Sequence, residues 1–263
     1  MKPAIQSICL TLYALFRRTG LPGSRLGQSI FVPAYFLYKR FSEAPWIDLL
    51  GSLARPGSLA VDVGANIGFF TLPLSRAVGP DGQVLAFEPD AANRSLLERG
   101  LRRGRCANVE VVAAALGDRD GTVDLHLNAD NPADHRIFPG AGHTAGPSVA
   151  LCRLDSFLAR NPPGRKLSLV KIDVQGAELL ALRGMRQTLA DSPEARLILE
   201  FCPEALSAGG TSPAELLDFL RELGFSAYVP KRGCAPVPLD WPEVIRRGCA
   251  AGYIDLLLSR QDF

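Results

Sequence analysis

The sequence predicts an α/β fold built on a mostly parallel sheet, and three observations carry that prediction. A short apolar strand, Leu59 to Val63, runs into a glycine turn and the opening of a helix. A second strand, Gln83 to Phe87, ends on an acid, Glu88. Beyond it, strand-like and helix-like segments alternate to the end of the chain, as in a parallel sheet with helices on both faces.

In chain order, residues 1–50 read as a helical N-terminal extension and residues 51–263 as the main domain. Ile5 to Arg18 has helical character, Gly20 to Gly27 is a loop, and Phe31 to Phe41 is dense in aromatics. Tyr35, Tyr38 and Phe41 recur at i, i+3 and i+6, enough for one helix face. The extension is either a packed cap, a substrate lid, or a peripheral membrane contact through residues 1–45, with Lys39 and Arg40 near lipid phosphates. These alternatives stay open. After the first strand, Gly68 to Val78 is a helix that tolerates Pro73 only in its first turn. Gly82 turns into the second strand, a helix follows over Ala91 to Arg103, and Val109 to Ala114 is the third strand. The basic cluster Arg102, Arg103 and Arg105 suits the C-terminal end of that helix. Gly121 to Asn128 alternates and pairs with Val149 to Arg153 as a hairpin-like insertion. Leu167 to Val174 is a strand, Glu178 to Ala190 a helix, and Arg196 to Phe201 a strand. Ser212 caps a helix from Pro213 to Leu223, with Gly224 as its stop. Ser226 to Pro230 and Ile254 to Ser259 finish the sheet as an antiparallel pair, seven strands in all.

The first two strands bound a ligand site. The tight turn at Gly64 lets a ligand approach backbone, and the helix opening near Gly68 aims free N–H groups at the same place. Glu88 follows Gly64 by 24 positions (88 − 64), where an acid closing the second strand meets ribose hydroxyls. A nucleoside-containing cofactor follows. The dinucleotide fingerprint needs glycines at G-x-G-x-x-G, whereas this turn reads Asp62, Gly64, Asn66, Gly68 and then bulky Phe69. An acid at Asp62 repels a pyrophosphate but suits the ammonium and sulfonium of S-adenosylmethionine.

Five strings now point to a family. DVGANIG at Asp62 to Gly68, FEPD at Phe87 to Asp90, ALGD at Ala115 to Asp118, KIDVQGAE at Lys171 to Glu178 and LEF at Leu199 to Phe201 resemble the FkbM-family methyltransferases. The resemblance covers about Pro56 to Phe225 in the family's order. It implies a class I methyltransferase Rossmann-like fold, S-adenosylmethionine as cofactor and methyl transfer to a hydroxyl oxygen. One departure is Gln175, where the family commonly has Glu.

The candidate site acids, Asp62, Glu88, Asp118, Asp173 and Glu200, all fall at or near predicted strand ends, where ligands bind in open α/β sheets. Asp118 either contacts the adenine amino group or shapes a turn. Asp173 lies inside an apolar stretch, where an unpaired carboxylate is costly, so it binds something or is neutral. The resemblance places it beside the methyl group. Candidates to take the acceptor proton are Asp173, Glu200 and His135. His135 belongs to the segment DNPADHRI, Asp130 to Ile137, and D-H-R-[IL] strings occur in the resembling family. Arg136 suits an acidic or sugar acceptor. His126 and His143 read as surface or structural residues, and Glu178 as a charge partner of a helix N-terminus.

Composition bounds the rest. With 263 residues, 47% hydrophobic and 21% charged, the chain is an ordinary globular protein, and its net charge of +2 gives no basis for nucleic-acid binding. Cys9, Cys106, Cys152, Cys202, Cys234 and Cys249 form no C-x-x-C pair and no zinc-ligand spacing, so no metal is expected. Dispersed thiols without a secretory signal suggest a cytoplasmic protein, and Ile5 to Phe16 is too short to span a membrane. The leading reading is an S-adenosylmethionine-dependent O-methyltransferase acting on a small-molecule, sugar or lipid-linked acceptor. Its rivals are a nicotinamide-dependent dehydrogenase, disfavoured by the missing glycines and by Asp62, and a non-catalytic methyltransferase-like binding protein, for which Gln175 is the best argument.

Overall fold

Leu59–Val63 (β1) is buried at all five positions, as a strand must be when helices cover both faces of its sheet. The computed structural model describes residues 32–263, apart from 38, 41, 42, 130, 132 and 232. The expected helix over Ile5 to Arg18, the loop over Gly20 to Gly27, and Phe31, Tyr38, Phe41 and Asp130 lie outside the described residues.

Residues 32–37 are helical, and helix α1, Ala44–Leu53, follows. Trp46, Leu50 and Leu53, at i, i+4 and i+7, bury one stripe of α1. That stripe packs with Ala60, Val84, Leu169, Ile198 and Leu257 of the sheet. A domain boundary at residue 50 therefore falls inside a core helix. Helix α2 spans Thr71–Val78, three residues later than the sequence suggests, and Pro73 is indeed in its first turn. The chain then runs through β2 (Gln83–Phe87), α3 (Ala91–Gly104), β3 (Val109–Val112) and β4 (Ala114–Leu116). It continues through β5 (Gly121–Asn128), β6 (His143–Cys152), α4 (Leu154–Arg160) and β7 (Leu167–Ile172). The remainder is α5 (Glu178–Arg183), α6 (Arg186–Ala190), β8 (Arg196–Phe201), α7 (Pro203–Ala208), α8 (Pro213–Glu222), β9 (Ser226–Lys231), β10 (Cys234–Leu239), α9 (Trp241–Ala251) and β11 (Ile254–Ser259). Asp90, Ser212 and Asp240 cap α3, α8 and α9 by accepting the N–H three residues on.

The large sheet has the order β10-β9-β11-β8-β7-β1-β2-β3. Strands β3, β2, β1, β7 and β8 are parallel, and β11 is antiparallel to both β8 and β9, as expected. This is the expected Rossmann-like α/β architecture, with eight strands in the large sheet where the sequence predicts seven. The additional strand is β10, whose Pro236 and Pro238 argue against a strand from sequence. It lies at the sheet edge, where a missing N–H is tolerated.

Two further elements differ from expectation. The single strand expected over Val109 to Ala114 breaks at Ala113, so that β3 joins the large sheet while β4 joins a small sheet of order β4-β6-β5. The helix expected over Glu178 to Ala190 breaks at Gly184 and Met185. There the Gly184 carbonyl accepts the Asp155 N–H at 3.0 Å, and a side chain on Gly184 would run into the Gly117 carbonyl. The expected hairpin insertion is present as β5 and β6, with β6 longer than predicted.

Candidate functional site

The chain runs β1, β2, β3 toward one edge and then β7, β8 on the other side of β1, so the strand order switches between β1 and β7. The crevice beyond the carboxyl ends of these two strands is the place for a ligand. Gly64 and Ala65, leaving β1, donate their N–H groups to the Phe87 carbonyl at 3.0 Å. Gly64 has φ 78°, and a Cβ there would collide with the Asp173 carbonyl. Glycine is thus required both for the turn and for the approach of the two strand ends. Asn66 is also left-handed, at φ 50°, a region asparagine tolerates. Its N–H is held by Glu88 Oε2 at 2.7 Å, while Glu88 Oε1 accepts the Asp90 N–H at 2.9 Å. Burial pushes the Glu88 carboxyl up to about 7 against those hydrogen bonds.

A cavity opens here. Gly64, Asn66, Glu88, His135 and Asp173 line it among the residues singled out from sequence, together with Asn93 and Gln175. At the Glu88 end its walls are apolar, made by Pro89, Ala114, Ala115, Leu116, Leu125 and Ile137. At the other end the chemistry is ionic. Lys171 Nζ donates to Asp173 Oδ2 at 2.9 Å, and Gln175 Nε2 donates to both Asp173 Oδ1 (2.6 Å) and Glu200 Oε2 (2.9 Å). Burial alone would raise the Asp173 carboxyl, but Lys171 and Lys39 hold it below the usual range. Burial, with Asp173, Asp255 and Glu178 nearby, pushes Glu200 well above it. Glu200 itself lies one layer behind Gln175.

Asp62 does not line the cavity. It is buried beneath the turn, where Oδ2 accepts from Thr71 Oγ1 at 2.6 Å, and Oδ1 has no hydrogen-bond partner among the described residues. Burial raises its carboxyl, and Lys171 offsets part of that effect. Register explains the pairing: Asp62 on β1 sits beside Lys171 on β7. Gly68 is likewise behind the cavity, packed on Leu72 and Leu97. Asp118 lies in the turn after β4 near Arg119 and away from the cavity. Glu178 is a buried clamp, where the sequence suggested a helix-terminal charge partner. Its Oε1 accepts the N–H groups of Val174 (3.2 Å) and Gly176 (3.1 Å), which fixes the loop that carries Gln175.

The insertion is folded back onto β5 by a two-way backbone bridge between His126 and Arg136. His135 is thereby brought to the cavity. Arg136 is not: its guanidinium donates to Asp134 at 2.7 Å and lies over Phe138 at 5.8 Å. His143 has a structural role, donating from Nε2 to the Asp134 carbonyl at 2.7 Å.

Lys171 is the main residue that sequence reasoning passed over, although it stands inside the KIDVQGAE string and faces an acid two residues on. The N-terminal helical segment contributes too. Phe36 packs edge-on to Phe69 at 5.7 Å, Lys171 lies 5.2 Å from the Phe70 ring, and Tyr35 feels the charges of Lys39, Asp173 and Lys171. Lys39 pairs with Glu43 at 3.9 Å and acts on Asp173, so it turns toward the site and not toward a lipid surface.

The arrangement fits a cofactor with a nucleoside at one end and positive charge at the other. An apolar slot closes on Glu88, and the carboxyl that faces the cavity at its far end is Asp173, held below the usual range and so ionised. A pyrophosphate finds no counterpart there. Among the described residues, no group of three or more His, Cys, Asp or Glu side chains is placed to hold a metal ion.

Comparison with known proteins agrees. The methyltransferase FkbM domain matches residues 62–227, more than half of the chain. "Methyltransferase 1" of Beauveria bassiana (strain ARSEF 2860) is 28% identical over 244 residues, covering 86% of this chain and 92% of that protein. "Methyltransferase sdnD" of Sordaria araneosa is 26% identical over 234 residues, covering 78% and 87%. The solved structure of methyltransferase FkbM from Methylobacillus flagellatus KT is 19% identical, with a TM-score of 0.42 over 67% of this chain and 43% of that one. A glycine turn held by Glu88, an acid-rich far end and a domain match across both make one conclusion: the chain belongs to the FkbM family of S-adenosylmethionine-dependent methyltransferases.

Proposed function

We propose that this methyltransferase acts on a hydroxyl oxygen of a small-molecule, sugar or lipid-linked acceptor, with Asp173 at the reacting end of the cavity. The observation that carries the reading is the Lys171–Asp173–Gln175–Glu200 cluster beside the Gly64 turn. When bound, S-adenosylmethionine supplies an electrophilic methyl carbon on a sulfonium. Asp173, ionised and cavity-facing, accepts a hydrogen bond from the acceptor hydroxyl and orients a lone pair toward that carbon. An alkylated hydroxyl is strongly acidic, so a weakly basic carboxylate suffices to take its proton. Gln175, which donates to Glu200 as well, fixes the Asp173 carboxylate in that position, and the proton that Asp173 takes leaves from it to solvent. Glu88 accepts from the ribose hydroxyls, Gly64 and Asn66 shape the turn against the cofactor, and Asp62 with Gly68 hold that turn from behind.

The same proposal places the protein in the cytoplasm, on its dispersed thiols, and gives it no nucleic-acid partner, on its net charge of only +2. Among the described residues no helix is long and apolar enough to cross a membrane. The test is incubation with methyl-labelled S-adenosylmethionine and a panel of hydroxylated small molecules, sugars and lipid-linked glycans. The expected product is an alkali-stable methyl ether, and Asp173→Asn should lower its rate about 100-fold with S-adenosylhomocysteine affinity nearly unchanged. Label recovered on nitrogen or in nucleic acid, or full activity in the variant, would overturn the proposal.

A further inference from the structure

His135 sits where a base was expected, but its hydrogen bonding is wrong for one. Its Nδ1 accepts the Asn128 N–H at 3.1 Å. That bond uses the ring's lone pair and places the proton of the neutral imidazole on Nε2. Burial holds the ring below the ordinary histidine range, so the neutral form prevails at pH 7. Nε2–H is therefore a donor, and no group among the described residues accepts it.

Its neighbours show which part of the cavity it serves. Ala115, Leu116, Leu125 and Ile137 make the apolar walls beside it. The charges that act on it are Asp90, Asp134 and His143. Asp90 follows Glu88 by two residues, so His135 belongs to the nucleoside end, while Asp173 belongs to the other. The position is built: the His126–Arg136 bridge fixes the backbone on one side, and Asp134 is held by Arg136 Nε (2.7 Å) and Asn128 Nδ2 (2.9 Å) on the other.

We infer that His135 is a cofactor-specificity residue that donates its Nε2–H to a ring nitrogen of the adenine of S-adenosylmethionine. An apolar slot accepts any planar base, and a half-buried donor at its edge selects one that presents a lone pair there. The hairpin insertion thus closes the nucleoside subsite, and the chain discriminates adenine by a side chain outside the large sheet. The inference rests on the cofactor assignment and is independent of the acceptor.

The experiment is isothermal titration of the full-length protein with S-adenosylhomocysteine and its 1-deaza, 3-deaza and 7-deaza analogues, each with one ring nitrogen replaced by C–H. The wild type should bind one of the three about tenfold more weakly than the parent and the other two nearly as well. His135→Ala should bind the parent about tenfold more weakly and lose that discrimination, while His135→Gln, which keeps a donor, should regain part of it. Wild-type protein that treats all three analogues like the parent overturns the inference whether or not the variants fold. So does a His135→Ala protein that keeps the wild-type discrimination. Failure of the wild type to bind the parent at all would overturn the cofactor assignment as well, and is distinct from a loss of discrimination alone.

Discussion

Replacing Glu88 with Gln should change stability by amounts that differ sharply between acid and alkaline solution. Glu88 is 5% exposed, and burial holds its carboxyl at about 7, against about 4.5 in the unfolded chain. Between those values the folded protein keeps a proton that the unfolded chain has released. Stability therefore falls as pH rises from about 4.5 and levels off above about 7. The interval corresponds to about 3 kcal/mol. Glutamine, neutral throughout, escapes that loss. It carries its own cost at every pH, because both Glu88 oxygens accept backbone N–H groups, from Asn66 at 2.7 Å and Asp90 at 2.9 Å. An amide must turn its NH₂ toward one of those donors, which costs about 1–3 kcal/mol. The variant should thus be the less stable protein at pH 5 and should match or exceed the wild type at pH 8. The assay is urea denaturation of both proteins, free of cofactor, at the two pH values. Glu178, also pushed up to about 7 by burial, titrates in both proteins and cancels in the difference. A difference between the proteins that stays constant from pH 5 to pH 8 would show that Glu88 titrates normally and would refute the reasoning.

Gly64→Ala places a side chain at φ 78° and against the Asp173 carbonyl, so it should lower stability by about 3 kcal/mol or more, read as a thermal midpoint shift of several degrees; a wild-type midpoint would refute the close approach of the two turns. Gln175→Glu replaces the amide that bridges Asp173 and Glu200 with a third carboxyl, and should destabilise by about 1–3 kcal/mol, more at pH 8 than at pH 6. Equal stability at both pH values would show that the bridge is not needed to hold the two acids together. Exhaustive chelation should leave S-adenosylhomocysteine affinity unchanged, and a loss restored by magnesium would recast Asp173 and Glu200 as ligands.

What the sequence makes legible follows from how local each signal is. The order β1, glycine turn, helix and the place of Glu88 at the end of β2 are legible because a buried strand, a glycine turn and an acid after the next strand are features of adjacent residues. Break points depend on remote partners and are hidden: Gly184 ends α5 because its carbonyl is taken by Asp155, and Ala113 divides β3 from β4 because the two halves join different sheets. The same distinction sorts the site. Asp62 and Asp173 both stand at strand ends, yet only Asp173 reaches the cavity. Asp62 lies at a register position beside Lys171 and is buried under the turn, where Thr71 donates to it. That pairing is invisible until β1 and β7 are known to be neighbours. His135 is the reverse case. The D-H-R string marks a residue at the cavity, but its chemistry depends on which ring nitrogen meets the Asn128 N–H. A histidine can be located by motif, whereas its role as donor or base is decided by a backbone hydrogen bond seven residues away. The candidate site is therefore best legible where a residue's function depends on its own backbone, as at Gly64, and least where it depends on which strand or loop is folded against it.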